Sequence, residues 1–361
     1  MHIDRLLRAM VQFKASDLHV QSGSPPMLRI NNDITALDLP VTSANDVQEL
    51  FASIATDKSR KDLETQLSAD FAYAIPEVGR FRVNAFHERG NLALVARLIP
   101  LQMPKFADLN LPDVIEEIAA AERGLVLVTG TTGSGKSTTL ASIIDFLNHS
   151  RRLRILTIED PIEFLHVSDK SLIAQRELGV DTPSFAEALK RALRQDPDFI
   201  LVGELRDEET MRTALQAADT GHLVFSTMHT TNAALTIQRL IAMFPPAERD
   251  LLLLQLETNL EAVISQRLAK SLKGGRIPVV EVMRATPIVR KLIGEGRTER
   301  LSQAIANRDA GMQLFDQHLA ELYNSREISG TEALRLATNT EAVAAAMRGI
   351  TRGETSGGLI G

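Results

Sequence analysis

Residues 124–137 read "GLVLVTGTTGSGKS", and this stretch limits the fold more than any other in the chain. An apolar run ends in a loop that matches G-x-x-x-x-G-K-[ST] in full, and "STTLASIIDFLN" follows with a helical pattern. Strand, glycine-rich loop and helix in that order are a phosphate site. Glycines let successive backbone N–H groups turn toward phosphate oxygens, and the start of the helix adds positive potential. The motif predicts a bound nucleoside triphosphate, with Thr131, Thr132, Gly133, Ser134, Gly135, Lys136, Ser137 and Thr138 around its phosphates. Lys136 is expected to reach the β- and γ-phosphates, and the Ser137 hydroxyl to hold Mg2+.

The surrounding pattern extends the strand–helix unit into a layered α/β domain. Apolar runs at 124–130, 154–160, 198–204, 222–229 and 276–282 alternate with helical segments, the signature of a mostly parallel sheet covered on both faces. Ser184 and Glu187 fit a capping box, and Asp207, Glu208 and Glu209 place negative charge at the start of the next helix, which Gly221 follows. Residues 247–269 read as one strongly apolar helix, and 285–361 as a helical region whose tail, "TRGETSGGLIG", is too polar and glycine-rich to fold.

Residues 1–100 differ. An amphipathic helix carrying Ile3, Leu6, Leu7, Met10 and Val11 is followed by short apolar runs, a helical stretch near 44–66 and an alternating strand with Phe81, Val83 and Ala85 inward. This predicts a small α+β domain over 1–100, a linker over 101–112 in the segment "PLQMPKFADLNLP", and the ATPase domain over 113–361. There is no cysteine, so disulfides and thiolate metal sites are excluded. A net charge of -6, no Trp and two Tyr argue against a nucleic-acid partner. No run approaches the ~20 apolar residues of a membrane-spanning helix.

Four further stretches carry a family resemblance: "TIEDPIEF" (157–164), "RQDPDFILVGELRD" (194–207), "TGHLVFSTMHTTNA" (220–233) and "GRFRVNAFHERG" with "ARLIP". Together with the phosphate loop they resemble the type IV pilus retraction motors, the PilT/PilU family within the type II/IV secretion ATPases. The first three look like that family's Asp box, Walker B and His box. The resemblance implies a PAS-like N-terminal domain and a RecA-like ATPase domain.

It also implies roles. Glu204, after Gly203 rather than at the usual aspartate position, would act at Mg2+ or the attacking water. Glu163 would activate that water, and His229 beside Thr227 would sense the γ-phosphate. Arg82 and Arg97 would stabilise charge on the transferring phosphoryl group, whereas on spacing alone both are solvated strand residues. Glu159 and Asp160 fit either a solvated turn ending at Pro161 or a place at the site, and His222 is less certain than His229. His19, His87, His149, His166 and His318 read as surface or satisfied polar residues.

By the same resemblance the chain would be a hexameric motor at the cytoplasmic face of the inner membrane, hydrolysing ATP to disassemble pili and drive twitching motility. Its partners would be an inner-membrane platform protein and a paralogous retraction ATPase, with no nucleic acid. Starting near "SDLH" and lacking a tetracysteine zinc module, it resembles the retraction side. "TPIVRKLIGEGRTERL" (286–301) aligns with the retraction signature A-I-R-N-L-I-R-E, keeping Arg290, Leu292, Ile293 and Glu295 but placing Gly294 at the second arginine. Glycine costs ~1 kcal/mol inside a helix, so the helix is expected to be weak or to end there. This leaves open an accessory PilU-like motor or a regulatory nucleotide-binding subunit, and more distantly a RecA-like nucleic-acid motor.

Overall fold

The structure is a computed structural model describing residues 2–30, 33–99 and 105–349. It divides into two compact units, Met1–Met103 with Pro161–Leu165, and Pro104–Asp160 with His166–Gly361. Of the expected linker, 101–104 lie outside the described residues, as does the expected unfolded tail at 351–361. From Phe106 the chain is part of the second unit's core, with its ring 5.6 Å from that of Phe146.

The first unit runs α1 (Ile3–Gln12), β1 (Asp17–Gln21), β2 (Met27–Ile30), β3 (Asp33–Ala36), α2 (Ala44–Ile54), α3 (Asp57–Gln66), β4 (Ser68–Ile75), β5 (Gly79–Glu88) and β6 (Asn91–Ile99). Its strands form one antiparallel sheet in the order β3-β2-β1-β6-β5-β4. Phe81, Val83 and Ala85 point into a core shared with Ile3, Leu6, Leu7 and Met10 of α1. The helical stretch near 44–66 is two helices. Thr56 N-caps the second by accepting from the Ser59 amide, which restarts the helix.

The second unit begins with α4 (Val114–Ala119), β7 (Gly124–Thr129) and α5 (Lys136–Ser150). It continues through β8 (Arg154–Glu159), β9 (Leu172–Glu177), α6 (Phe185–Ala192), β10 (Phe199–Val202), α7 (Glu208–Asp219), β11 (Leu223–Met228), α8 (Ala233–Met243) and α9 (Arg249–Asn259). It closes with β12 (Leu260–Lys270), β13 (Arg276–Arg284), α10 (Pro287–Gly294), α11 (Leu301–Ala306), α12 (Phe315–Asn324), α13 (Gly330–Leu336) and α14 (Thr340–Met347). The sheet order is β13-β12-β7-β11-β10-β8-β9. All pairs are parallel except β12 with β13. Every residue of β7, β10 and β11 is buried, as central strands between two helix layers require.

Two expectations fail here. The single helix over 247–269 is α9 followed by β12, which lies between β7 and β13. A continuous apolar run suits a fully covered strand as well as a buried helix, and only pairing decides between them. The Ser184–Glu187 capping box is half made: Ser184 accepts from the Glu187 amide, but Glu187 turns to Arg191 at 2.7 Å instead of reaching back. The strand β9, absent from the sequence expectations, has only partial burial, so its hydrophobic pattern is weak.

Candidate nucleotide site

The carboxyl ends of β7, β11, β10 and β8 lie side by side in the second unit's sheet. Open α/β sheets bind ligands at such an edge. β7 delivers the phosphate loop, in which Gly130, Gly133 and Gly135 take φ of 148°, 78° and 93°. These angles belong to glycine and aim consecutive amides one way. Lys136, buried at the first position of α5, donates from Nζ to the Gly130 carbonyl at 2.8 Å and to that of Thr131 at 3.2 Å. The ammonium therefore lies over the loop that would hold the phosphates. Thr131, Thr132 and Gly133 are exposed, while Gly135, Ser137 and Thr138 are half-buried around the start of α5. Ser134 is buried, and among the described residues its hydroxyl has no partner. A polar atom in that position suits a ligand that brings its own hydrogen-bonding oxygens.

β10 delivers Gly203 and Glu204. The Gly203 amide donates to the Ile158 carbonyl at 2.7 Å, and its carbonyl accepts from the Thr227 hydroxyl at 2.6 Å. These bonds, with Leu205 N–H to the Thr227 carbonyl, lock the end of β10 between β8 and β11. Glu204 accepts from Arg206 Nε at 2.7 Å through one carboxylate oxygen, and the other lies 3.5 Å from His229 Nε2. The structure thus joins Glu204 to His229, a pairing that the motifs, read one by one, did not give. It adds Arg206, which was legible only as part of "GELRD". Beside them, Glu159 at the end of β8 accepts from the Thr157 hydroxyl at 2.6 Å and from Gln175 at 3.1 Å. It is a hydrogen-bonded strand end, not a solvated turn, whereas Asp160 is exposed.

His222 sits at the opposite end of β11 from His229, about 20 Å away at a strand's rise per residue. Its Nδ1 meets the Ala217 carbonyl at 3.0 Å, a structural role at the end of α7. Glu163 is exposed, and it lies in Pro161–Leu165, which groups with the first unit, whereas Lys136, Glu204 and His229 belong to the second.

Arg82 and Arg97 also belong to the first unit, where they are direct cross-strand partners on β5 and β6. Asp17, the cross-strand partner of Arg97 on β1, is buried and accepts from Arg97 Nε at 2.7 Å. Burial alone would raise the Asp17 carboxyl. The Ser16 hydroxyl and the Arg97 guanidinium outweigh it and hold the group below its ordinary range. Arg82 is 3.6 Å from Asp70. Neither arginine is simply solvated: each has a carboxylate that orients it.

Sequence reasoning missed the brace behind the loop. Thr129 and Ser265 share a hydroxyl hydrogen bond at 2.8 Å, and the Thr139 hydroxyl donates to Gln266 at 3.0 Å. Ser265 and Gln266 are both buried on β12. Reading this segment as a helix hid the pairing; the signal was two polar residues inside an apolar run.

The oxygens of Ser137 and Glu204 are hard donors of the kind Mg2+ takes. Among the described residues no three His, Cys, Asp or Glu side chains converge as a metal cage. Mg2+ is commonly held by one or two protein oxygens together with the substrate's phosphates, so these residues fit it.

Comparison with known proteins identifies relatives over most of the chain. A family model described as "Type II/IV secretion system protein" matches residues 1–274. The type IV pilus retraction ATPase PilT of Pseudomonas aeruginosa is 47% identical over 334 residues, covering 92% of this chain and 97% of that protein. The type IV pilus ATPase PilU of the same organism is 38% identical over 336 residues, covering 92% and 88%. The crystal structure of the pilus retraction motor PilT with bound ADP superposes with a TM-score of 0.87 at 41% identity, covering 94% of this chain and 98% of that one.

Proposed function

The chain belongs to the type II/IV secretion system protein family, and from that premise we propose that it is the ATP-hydrolysing motor of type IV pilus retraction. One observation carries the reading: the phosphate loop, Glu204 and His229 all lie at the carboxyl edge of one sheet, with Glu204 and His229 3.5 Å apart. The higher identity to PilT than to PilU, 47% against 38%, supports a main retraction motor over an accessory one.

In this reading the loop amides and Lys136 bind the triphosphate and offset its charge. Ser137 and Glu204 would hold Mg2+, which supplies charge neutralisation at the phosphates. Arg206 fixes the Glu204 carboxylate, so that its second oxygen faces His229 and the space where γ-phosphate and water meet. Glu163 is assigned to orienting the attacking water, and Arg82 and Arg97 to stabilising charge on the transferring phosphoryl group. Phosphoryl transfer depends on positioned charge more than on covalent chemistry, and these residues supply charge. The working form is assigned as a homohexamer bound to an inner-membrane platform protein at the cytoplasmic face. Among the described residues no helix is long and apolar enough to cross a membrane.

ATP turnover by the purified protein tests the chemistry. Lys136→Ala should abolish turnover and weaken nucleotide binding, whereas Glu204→Ala should abolish turnover and keep binding. Wild type no faster than either variant would replace the motor with a regulatory nucleotide-binding subunit. Deletion of the gene should leave cells hyperpiliated and unable to twitch, and bald cells would instead indicate pilus assembly.

A further inference from the structure

Glu281 lies on β13, outside the sequence motifs but opposite Ser265 of β12, and is 6% exposed. A buried carboxylate is costly unless its oxygens are satisfied. One oxygen accepts the Ala233 amide at 2.8 Å, in a bond that is itself buried. Ala233 is the first residue of α8. Phe315, the first residue of α12, lies near enough for its amide to favour the charged carboxylate. The side chain serves the amino end of α8, where unpaired N–H groups and the helix dipole both favour negative charge. Arg267 supplies a nearby positive charge, and Asp316 a negative one. The Arg267 guanidinium stacks 3.9 Å over the Phe315 ring and donates to the Leu336 carbonyl. Burial raises the Glu281 carboxyl above its ordinary range, and the Ala233 amide and Arg267 offset part of that rise.

The bond to Ala233 matters because of what precedes it. β11 ends at Met228, and His229, Thr230, Thr231 and Asn232 bridge it to α8. This short connection carries His229, 3.5 Å from Glu204. Within it the Thr230 and Thr236 hydroxyls share a buried bond at 2.6 Å, and Asn232 accepts the Leu235 amide at 2.8 Å. At one end the connection is held by the sheet. At the other it is held by Asn232, from its own segment, and by Glu281, from β13.

We propose that Glu281 is a positioning residue for hydrolysis. It clamps the first amide of α8, so fixing His229 against Glu204. The proposal rests on the reading of Glu204 and His229 as part of the hydrolytic site.

The test compares wild type, Glu281→Gln, His229→Ala and the double variant. Glutamine keeps one acceptor oxygen but loses the negative charge and adds an NH2 group, so the clamp on the α8 amide is weakened. Glu281→Gln should lower kcat by roughly 10-fold, at the low end for loss of a group that orients a reacting side chain, while the KM for ATP and the affinity for ADP change less than about 2-fold. Because Glu281 acts through His229, the double variant should be no slower than His229→Ala. Amide hydrogen exchange with ADP bound should speed up across 229–236 in Glu281→Gln and stay unchanged in the phosphate loop.

An unchanged kcat, losses that multiply in the double variant, or ADP affinity falling together with kcat would each overturn the proposal. If wild type itself shows no turnover, the hydrolytic reading fails; the exchange measurement still reports whether Glu281 holds the His229 segment.

Discussion

A Cβ on Gly203 would stand 3.2 Å from the Ile158 carbonyl oxygen and 3.4 Å from the Glu159 Cα. The glycine where other phosphate-loop ATPases carry an aspartate is a packing requirement: β8 and β10 converge there, and the Gly203 amide bonds the Ile158 carbonyl at 2.7 Å. Backbone held in a buried parallel sheet has little freedom to yield. Gly203→Ala should therefore cost about 1–3 kcal/mol of stability, in the range of overpacked cores. It should also lower kcat more than it weakens nucleotide binding, because Glu204 follows directly. Chemical unfolding and steady-state turnover check this; wild-type values in both would show that the two strands can spread.

Gly294 is the contrasting case. A Cβ there would lie 2.1 Å from Glu257 Oε2, the far end of a flexible side chain. The helix α10 does end at Gly294, and the turn beyond is closed by Gly296, with φ of 69°, and by bonds to the Ile293 and Leu292 carbonyls. Gly294→Ala should change stability by no more than ~1 kcal/mol, because the gain in helix propensity offsets displacement of the carboxylate. Gly294→Arg should fold equally well, its guanidinium pairing with Glu257 at the ~0–1 kcal/mol typical of exposed ion pairs. Thermal unfolding decides, and a loss of several kcal/mol in either variant would mean that the space beside Glu257 is closed.

His318 predicts a pH dependence of stability. It is buried, and its Nδ1 accepts the Val280 amide at 3.0 Å, so the folded protein holds it neutral. Burial pushes its pKa from the ordinary histidine value of 6.5 down to about 4. As pH falls below 6.5, the unfolded chain takes up a proton that the folded one refuses until pH reaches about 4. Stability from this group is complete above pH 6.5 and drains away toward pH 4, by about 3 kcal/mol if it acts alone. His166, also pushed down to about 4 by burial, adds to the same window. His318→Asn, which can still accept the Val280 amide, should flatten the fall of melting temperature between pH 6.5 and 4. An unchanged slope would assign the effect to other groups.

The phosphate loop was legible because its chemistry is local: glycines, Lys136 and Ser137 occupy one turn, and their order along the chain is their order in space. The same holds for the inward face of β5 and for Ile3, Leu6, Leu7 and Met10 of α1, which periodicity alone identified. Glu204 and His229 could be named from their motifs, but their meeting at 3.5 Å depends on β10 and β11 being neighbours. Arg82 and Arg97 read as solvated on spacing alone, because the carboxylates that orient them, Asp70 and Asp17, come from other strands.

By itself the sequence determined the element types that rest on short-range periodicity and the glycine-rich loop between strand and helix. Tertiary structure alone decided that 260–270 is a strand, that Ser265 and Gln266 brace that loop, and that Glu281 holds the start of α8. The physical reason is common to all three. A fully buried strand and a buried helix carry the same apolar pattern, and a buried polar group is stable only with partners that the chain brings from far along its length.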